Sequence, residues 1–494
     1  MKCSNMGFVP LFNFRDAAFK AGIAAVILFS SAIFSVVVSA NEQGLSLPEA
    51  LSIAVKNDPW LTRSELRQQA MLDSSEAVDT LPNPVVSIGL ANLPTDGFAY
   101  DQEPMTQLKA GVSQQFPRGE SLGMQRKQLQ ELAQQHPLLR QDRMARSKVA
   151  VSSLWLEVYR SQQVVLLIEN DRALFQQLAD IVEASYSSAV GTVRQQDIVR
   201  AQLELTRLED RLNTLMSQKE QAGSQLLEWL SNGNDWHAVT SNFAQHKKVS
   251  TKLPNIEKLP SFAIQALMKA EQNKLAELLK AHPAILAIEQ RINAGETGID
   301  LAKQAYKPQW GVNASYAHRA DDQLGRSRAD FLSLGVTFDL PIFTQGAQDK
   351  RVSAAVQEAE AIKTDKLLAL RSLISQLQSS WDRYQRLLKR QELYANHILI
   401  QTREQAETSL TAYTNDDGDF SDVVRARIDD LNARIDVLNI EVDLLKAKVE
   451  LNYFFTNDYR AEQQNPEKKK LGQKKLEQHS MNEQALNEVK VGEQ

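Results

Sequence analysis

Two stretches of this chain run unusually far without a residue that ends a helix. Residues 347–412 contain no glycine or proline over 66 positions, and residues 138–190 contain none over 53. The mean α-helix of a soluble protein has only about 12 residues. At about 1.5 Å per residue, the longer run would extend on the order of 100 Å as a helix. The chain is therefore predicted to be organised around helices that project well beyond a globular core.

Apolar residues recur along these regions at alternating spacings of four and three, which is the coiled-coil pattern. In the second half of the chain they are Leu370, Ile374, Leu377, Trp381, Tyr384 and Leu388, and then Ile428, Leu431, Ile435, Leu438, Val442, Leu445 and Val449. In the first half they are Ala201, Leu205, Leu208, Leu212 and Leu215. Each long run reverses at a short break, at Gly191 or Gly418, so the sequence predicts two antiparallel helical hairpins.

The two halves of the chain share motifs at a nearly constant offset. The stretch "GVSQQFP" at residue 111 corresponds to "GVTFDLP" at residue 335, which lies 224 positions later, and Pro59 and Pro84 correspond to Pro283 and Pro308 in the same way. Similarity at a fixed offset indicates a duplicated unit. Each copy is predicted to contain a helix, two strands, a long helix, a tip and a return helix.

The predicted strands alternate apolar side chains with small or polar ones. In "FLSLGVTFDLP", Leu332, Leu334, Val336, Phe338 and Leu340 fall on one face and Ser333, Gly335, Thr337 and Asp339 on the other. The segment "WGVNASYAHR" shows the same period of two, and the segments around Ile88 and Ala110 show it more weakly. This period is that of a strand with one apolar face. Two interpretations stay open: strands of an outer-membrane barrel with apolar side chains toward lipid, or a soluble sheet with one buried face.

The first 40 residues resemble a secretory signal, with basic residues, an apolar run over 24–38 and "VSA" before Asn41. An amino-terminal anchor helix is the alternative. Cys3 is the only cysteine, so disulfides and Cys-ligated metals are excluded for the rest of the chain. The formal net charge of −5 disfavours nucleic acid as a partner. No later segment is apolar for long enough to be a transmembrane helix.

These patterns divide the chain into five predicted parts. Residues 1–40 are expected to be a signal peptide, 41–230 repeat one, 231–265 a linker or equatorial element, 266–457 repeat two, and 458–494 a polar, disordered tail. The linker loses the heptads and gains turn formers. The predicted fold class is mainly α, with long antiparallel coiled-coil helices and four strands per subunit.

Several local motifs stand in an order that resembles the TolC-like outer-membrane factor family. They are "LSLPEALSIAVKNDPWL", "LPNP" before the first strand, "FPRGE" after the second, "HP" at residue 282 and "VGTVRQQDIVRAQLE" at the first tip. The stretches "LPNPVVSIGLANLPTDG" and "MTQLKAGVSQQFPRGE" look especially like the heavy-metal branch that works with resistance-nodulation-division pumps. The resemblance covers residues 45–457, and its strength lies in the order and spacing of the motifs.

This resemblance implies a homotrimer with a membrane β-barrel of twelve strands that continues into a periplasmic helical barrel. The implied function is a passive exit duct in the outer membrane, with outer-membrane lipid, a periplasmic membrane-fusion adaptor and an inner-membrane pump as partners. Heavy-metal cations are the expected cargo, and organic drugs or secreted proteins are the alternative. A reading from another class is a coiled-coil envelope tether that transports nothing.

The candidate pore residues are four carboxylates in "TNDDGDFSD", namely Asp416, Asp417, Asp419 and Asp422. By resemblance, the family closes its periplasmic end with acidic residues near this second tip. A narrow ring of carboxylates attracts cations and repels anions. The alternative is a solvated acidic turn, because Asp and Gly are favoured in turns for conformational reasons.

The candidate adaptor contacts are Gly191 and Thr192 at the first tip and Gly418 at the second, since the family docks its tips against the adaptor. A glycine that only reverses a helix is the alternative. Tyr186 and Tyr413, beside the tips, are expected to pack either in a closed state or in the coiled-coil core. The seven histidines are scattered, and no phosphate loop or nucleophile elbow is present. Neither enzymatic activity, a cofactor nor a resident metal is predicted.

Overall fold

The structure is a computed structural model that describes residues 44–187, 194–231, 243, 247–269, 271–415 and 417–456. In the first half, the elements are α1 (Leu47–Asn57), α2 (Pro59–Val78), β1 (Val85–Ala91), β2 (Gln107–Phe116), α3 (Ser121–Ser187) and α4 (Gln195–Leu230). Helix α2 begins with Pro59 at its first position, and the Asp58 side chain accepts a hydrogen bond from the Trp60 backbone N–H. This is a capped helix start.

The second half repeats the order of helix, strand pair and long helices. Its elements are α5 (Ser261–Met268), α6 (Gln272–Lys280), α7 (Pro283–Lys303), a 3₁₀ turn (Gln304–Tyr306), β3 (Trp310–His318), β4 (Phe331–Phe338), α8 (Gln345–Leu393), a π-helical turn (Tyr394–Ile398), α9 (Leu399–Thr414) and α10 (Phe420–Tyr453). The prediction of a mainly helical chain with a few antiparallel strands is confirmed.

The long helices pack through the apolar positions that the heptads predict. Leu208 and Leu212 of α4 are buried with Leu431 and Ile435 of α10, in a cluster that α3 completes through Ile168. A second cluster joins Leu377 and Trp381 of α8 to Leu279, Ile285 and Leu451. Helix α3 contacts α2, α4, α7 and α10, so it is the central support of the described helices.

Two features of the long helices were not predicted from the glycine- and proline-free runs. Helix α3 begins at Ser121 and continues through Pro137, although proline lacks the N–H that an interior helical position donates. The second run is interrupted by the π-helical turn at Tyr394, whose hydroxyl donates to Asp436 Oδ2 of α10 at 3.0 Å. Single π turns of this kind are common at functional sites.

The described part of the segment predicted as a linker packs against the first half of the chain. Val249 forms a parallel bridge with Leu45. Phe243, Val249 and Ile256 are buried in the cluster that contains Trp155. The boundary predicted between 265 and 266 falls inside helix α5. Residues 1–40 and 458–494, with their predicted roles, lie outside the described residues.

None of the described helices combines the length and the apolar character that a membrane crossing requires. In the same ranges, no three His, Cys, Asp or Glu side chains come together in a way that could hold a metal ion.

Candidate functional site

The four strands form one antiparallel sheet in the order β1-β2-β3-β4. Strands β2 and β3 come from different halves of the chain and pair from Leu108 opposite His318 to Phe116 opposite Trp310. The register aligns side chains in rows that cross all four strands, for example Val86, Val112, Ala314 and Leu334. Strands β1 and β4 each keep one edge that no other described strand pairs.

One face of this sheet is apolar and exposed. Ile88 and Leu334 are each 77% exposed, and Val86, Leu332 and Val336 are similarly open. A soluble sheet would cover such a face with helices, because that burial drives folding. The single chain does not bury this face, and an exposed face of this kind marks a membrane or an interaction site.

An aromatic row crosses the apolar face where the strands meet the helices. Phe116 lies opposite Trp310, and Trp310 lies opposite Phe338. The Trp310 and Phe338 ring centroids are 5.3 Å apart. Aromatic girdles border the apolar band of outer-membrane proteins at the water interface. This row has the corresponding position at one border of the exposed face.

The opposite face carries small and polar side chains, called here the small-residue face. One of its rows consists of Ser87, Gly111, Ser315 and Ser333. A Cβ placed on Gly111 would lie only 3.1 Å from Ser87 Oγ. The register therefore confirms the predicted division into apolar and small faces, and it extends the division from single strands to the whole sheet.

An ion pair connects the strand ends to the helices. The Arg118 guanidinium, after β2, pairs with the Asp339 carboxylate, after β4, and also donates to the Lys307 carbonyl at 2.8 Å. Asp339 Oδ1 accepts from the Gln309 backbone N–H at 2.7 Å. These contacts hold the ends of β2, β3 and β4 together, so they fix the sheet relative to the long helices.

At the second tip, the structure brings three of the four candidate carboxylates into one turn. Asp417 donates its backbone N–H to the Ala412 carbonyl, Asp419 is the residue before α10, and Asp422 lies in the first turn of α10. The Asp422 carboxylate accepts from Arg425 at 3.3 Å, and both side chains are exposed. Acidic groups at a helix start also interact favourably with the helix dipole. Asp416 lies outside the described residues.

Gly418 stands where a larger residue would crowd the turn, because a Cβ there would lie 3.0 Å from the Tyr413 nitrogen. Tyr413 packs against Phe420, with ring centroids 5.7 Å apart, and belongs to the helical core, whereas Tyr186 is half exposed. Gly191 and Thr192 lie outside the described residues, so their predicted role as adaptor contacts stays a prediction.

The polar contacts that join the two hairpins have no signature in the sequence pattern. Arg434 of α10 pairs with Asp171 of α3 and with Asp430, while Lys446 of α10 pairs with Glu157 of α3. Burial alone would raise the pKa of Glu157, but hydrogen bonds from Lys446 and Arg160 outweigh it and lower that pKa. Pairs this far apart in sequence leave no local pattern, so only the packed helices identify them.

The chain was compared with known proteins. Residues 275–453 match the sequence model of a family described as outer membrane efflux protein. The structure is similar to that of the outer-membrane channel OprN, with a TM-score of 0.66 and 16% identity over 83% of this chain and 89% of that chain. It is also similar to the outer membrane protein VceC from Vibrio cholerae, with a TM-score of 0.66 and 13% identity over 83% and 96% of the two chains.

A third similar structure is that of CusC, with a TM-score of 0.65 and 13% identity over 83% of this chain and 91% of that chain. CusC undergoes conformational changes that accompany folding and transmembrane channel formation. No curated protein matches this chain. At these identities the solved structures show the fold alone.

Proposed function

We propose that the chain is the channel subunit of a tripartite efflux system, because residues 275–453 match the outer membrane efflux protein family. In this function it is a passive exit duct in the outer membrane, with its long helices extending into the periplasm. The matched family is one of transport proteins rather than enzymes. Energy for export then comes from an inner-membrane pump of the resistance-nodulation-division type, which a periplasmic adaptor connects to the duct.

The observation that carries this proposal is the sheet with two unlike faces. Lipid is the solvent that suits an exposed face with Ile88 and Leu334 at 77% exposure and an aromatic row at its border. The small-residue face then lines a water-filled lumen. Because β1 and β4 each keep a free edge, β4 of one copy can pair with β1 of the next. Three copies would close a barrel of twelve strands, the number that the family resemblance implies.

The helix tips would serve the duct at its periplasmic end. In three copies, Asp416, Asp417, Asp419 and Asp422 would surround one axis and concentrate cations there. Gly191, Thr192 and Gly418 would contact the adaptor. Heavy-metal cations are the proposed cargo, on the resemblance of the first strand region to the heavy-metal branch. Drugs or secreted proteins are the competing cargo.

Single-channel recording tests the duct and its acidic tip. The purified, detergent-extracted protein should run as a heat-modifiable trimer and conduct in planar bilayers. Replacing the four tip aspartates together by asparagine should lower the permeability ratio of potassium to chloride. If the wild-type trimer conducts and the fourfold variant has the same selectivity, the acidic turn is a solvated loop. If no trimer or conductance forms, the coiled-coil tether is the better interpretation.

Growth tests identify the cargo class. A strain that lacks this chain should become sensitive to divalent or monovalent metals and should recover when the chain is supplied on a plasmid. Sensitivity to organic drugs and detergents alone would assign the duct to multidrug export. Resistance to every compound, in a strain without other ducts, would contradict a role in efflux.

A further inference from the structure

The four strands contain a single formally charged residue, and it lies on the small-residue face. Lys109 of β2 is opposite Gly89 of β1 and Ala317 of β3. Its side chain is exposed. The other titratable residues of the strands, Tyr316 and His318, alternate with Ala317 and therefore belong to the apolar face. A lysine at the lipid-facing midplane would cost roughly 2–4 kcal/mol, so a position toward the lumen is the one that a barrel tolerates.

The surroundings of Lys109 offer room and no counter-charge. Its neighbours on the same face of β2 are Gln107 and Gly111, and its partners across the strands are Gly89 and Ala317. No carboxylate of the described residues lies within 4.0 Å of its amine. Because these neighbours are short or uncharged, the ammonium group can extend from the face into the space that the sheet encloses.

A second cation stands beside it at the loop end of the sheet. Arg319 follows β3 two residues after Ala317, which is a diagonal position about 7–8 Å from Lys109 in an antiparallel pair. The guanidinium lies 4.1 Å from the centroid of the Phe331 ring, and Phe331 is on the small-residue face, opposite Ala317. It donates to the Ala329 and Pro104 carbonyls, which are neutral acceptors.

The Asp330 carboxylate, at the same rim, contacts residues of the other face. Asp330 precedes β4, and its carboxylate accepts from the Tyr316 hydroxyl and contacts His318 Nδ1 at 3.1 Å. Tyr316 and His318 both belong to the apolar face. Asp330 Oδ1 also accepts from the Arg319 backbone N–H at 3.1 Å, but the Arg319 guanidinium donates elsewhere. The side-chain charges of Lys109 and Asp330 therefore belong to opposite faces of the sheet.

We propose that Lys109, with Arg319 beside it, forms a positively charged collar at the outer exit of the duct and that this collar sets the charge selectivity of the exit. The inference rests on the proposed function, because three copies must close the barrel. Three lysines around a narrow lumen repel cations and concentrate anions over about one Debye length, roughly 10 Å in 0.1 M salt. The exit and the acidic tip then carry opposite charge. Neutral or anionic cargo, including a metal held by an anionic ligand, leaves more readily than a free divalent cation.

Reversal potentials in a potassium chloride gradient measure this selectivity. Lys109→Gln should raise the permeability ratio of potassium to chloride about threefold, and Lys109→Glu should raise it further, since each subunit changes by two charges. Lys109→Arg should keep the wild-type ratio. Lys252→Gln removes an equal charge from an exposed position in the 247–260 segment, away from the sheet, and is the matched control. The difference in permeability ratio between the wild type and the Lys109→Gln or Lys109→Glu variant should become smaller in about 1 M salt, where the Debye length is near 3 Å.

Thiol labelling locates the side chain independently of any folding effect. Because Cys3 is the only cysteine, a Cys3→Ser background gives a thiol-free chain for Lys109→Cys. A cationic methanethiosulfonate reagent added from outside should restore the wild-type selectivity, and an anionic one should mimic Lys109→Glu. Ala110→Cys, the next residue on the same strand, faces the apolar side and should not react from the water phase.

The outcomes separate this inference from the proposed duct. If the wild type and all Lys109 variants conduct with one reversal potential, or if Lys109→Cys resists both reagents, the collar is wrong and the duct stands. If Ala110→Cys reacts and Lys109→Cys does not, the faces of the sheet are assigned the wrong way round. If the wild type forms no conducting trimer, the proposed function itself is wrong, and so is the collar that rests on it.

Discussion

The helices and the sheet use the same apolar residue types in opposite ways. Trp155 and Leu431 of the helices are fully or almost fully buried within the chain, while Ile88 and Leu334 of the sheet are mostly exposed. The helical stripes pack against one another, so their contacts are present in a single chain. The sheet leaves its apolar face uncovered in the single chain. The meaning of an exposed apolar residue therefore depends on its region, and under the proposed function the uncovered face of the sheet meets lipid.

The largest expected effect within this comparison is at Trp155 of α3. The Trp155 side chain is fully buried and stacks on Tyr159, with ring centroids 5.7 Å apart. Its Nε1–H donates to the Leu45 carbonyl at 2.8 Å. Trp155→Ala should cost about 3–5 kcal/mol, because it leaves a cavity and removes one of the hydrogen bonds that the Leu45 carbonyl accepts. Thermal melting followed by the helical circular dichroism signal measures the loss.

Trp310→Ala is the control for this change, because it removes the same side chain from the exposed face of the sheet. Its helical melting temperature should stay near that of the wild type. Equal losses in the two variants would contradict the division into a helical region with its own core and a sheet that faces another phase.

The second prediction contrasts two neighbours on β4. Leu334 belongs to the apolar face and Ser333 to the small-residue face, and both are exposed in the single chain. Leu334→Lys should destabilise the membrane-inserted trimer by roughly 2–4 kcal/mol at the bilayer midplane, whereas Ser333→Lys should cost much less. The fraction of heat-modifiable trimer recovered from vesicles measures both. Equal recovery would show that neither face meets lipid.

How far the sequence predicts the structure also differs between the two regions. The heptads identified Leu208, Leu431 and Trp381 as core residues, since coiled-coil packing leaves a periodic record. Alternation identified the two faces of each strand. It could not say which face was covered, because lipid and a protein core favour the same side chains. That distinction needed the exposures in the folded chain.

The candidate site was only partly predictable. "TNDDGDFSD" identified a turn with clustered carboxylates, and the turn exists with Asp417, Asp419 and Asp422 in it. The segregation of Lys109 from Asp330 depends on which strands pair and in which register. The register of β2 with β3 pairs residues that are between 194 (116 with 310) and 210 (108 with 318) positions apart, and no local pattern in a single sequence records it.

The third prediction concerns the polar contacts that hold the two hairpins together. Arg434→Met leaves the carboxylates of Asp171 and Asp430, which are only 12% and 10% exposed, without their cation. The cost should be about 1–2 kcal/mol, between the value of an exposed pair and that of a fully buried one. Arg425→Met is the matched control on the same helix, because its pair with Asp422 is exposed, and its melting temperature should hardly change.

Salt distinguishes this contribution from packing. The difference in melting temperature between the wild type and Arg434→Met should decrease only slightly in concentrated salt, since half-buried pairs are screened less than exposed ones. A loss in Arg425→Met as large as that in Arg434→Met would contradict the assignment of the hairpin contact to α3 and α10.

The smallest expected effect is a pH dependence at the junction of α7 with the end of α10. The buried His282 ring accepts from the Ala284 backbone N–H at Nδ1, and its Nε2 lies 3.2 Å from the Tyr453 carbonyl. Acceptance at Nδ1 and donation from Nε2 require the neutral ring. Burial lowers the pKa of His282 and nearby Arg146 lowers it further, while Asp142 and the bond to Tyr453 oppose the shift.

Because the folded pKa lies below the unfolded value of about 6.5, the unfolded chain binds this proton more readily. Stability should therefore fall as the pH drops below about 6.5, and the loss is complete once the folded state is also protonated. His282→Asn keeps a side chain that caps a helix and removes the titration. Its melting temperature should fall less steeply between about pH 7 and pH 5 than that of the wild type.

The wild type and His282→Asn are best compared when both also carry His136→Gln, which removes a second titrating histidine. Burial, with Arg140 and Arg67 nearby, also lowers the pKa of His136, so its titration would add a slope of the same sign. In that background, a pH slope left unchanged by His282→Asn would show that the junction does not depend on the neutral ring. A flatter slope, together with unchanged bilayer conductance, would confine the effect to the helices and leave the sheet untouched. The opposite exposures of apolar side chains in the helices and in the sheet lead us to expect that a change in one region leaves the other unaffected.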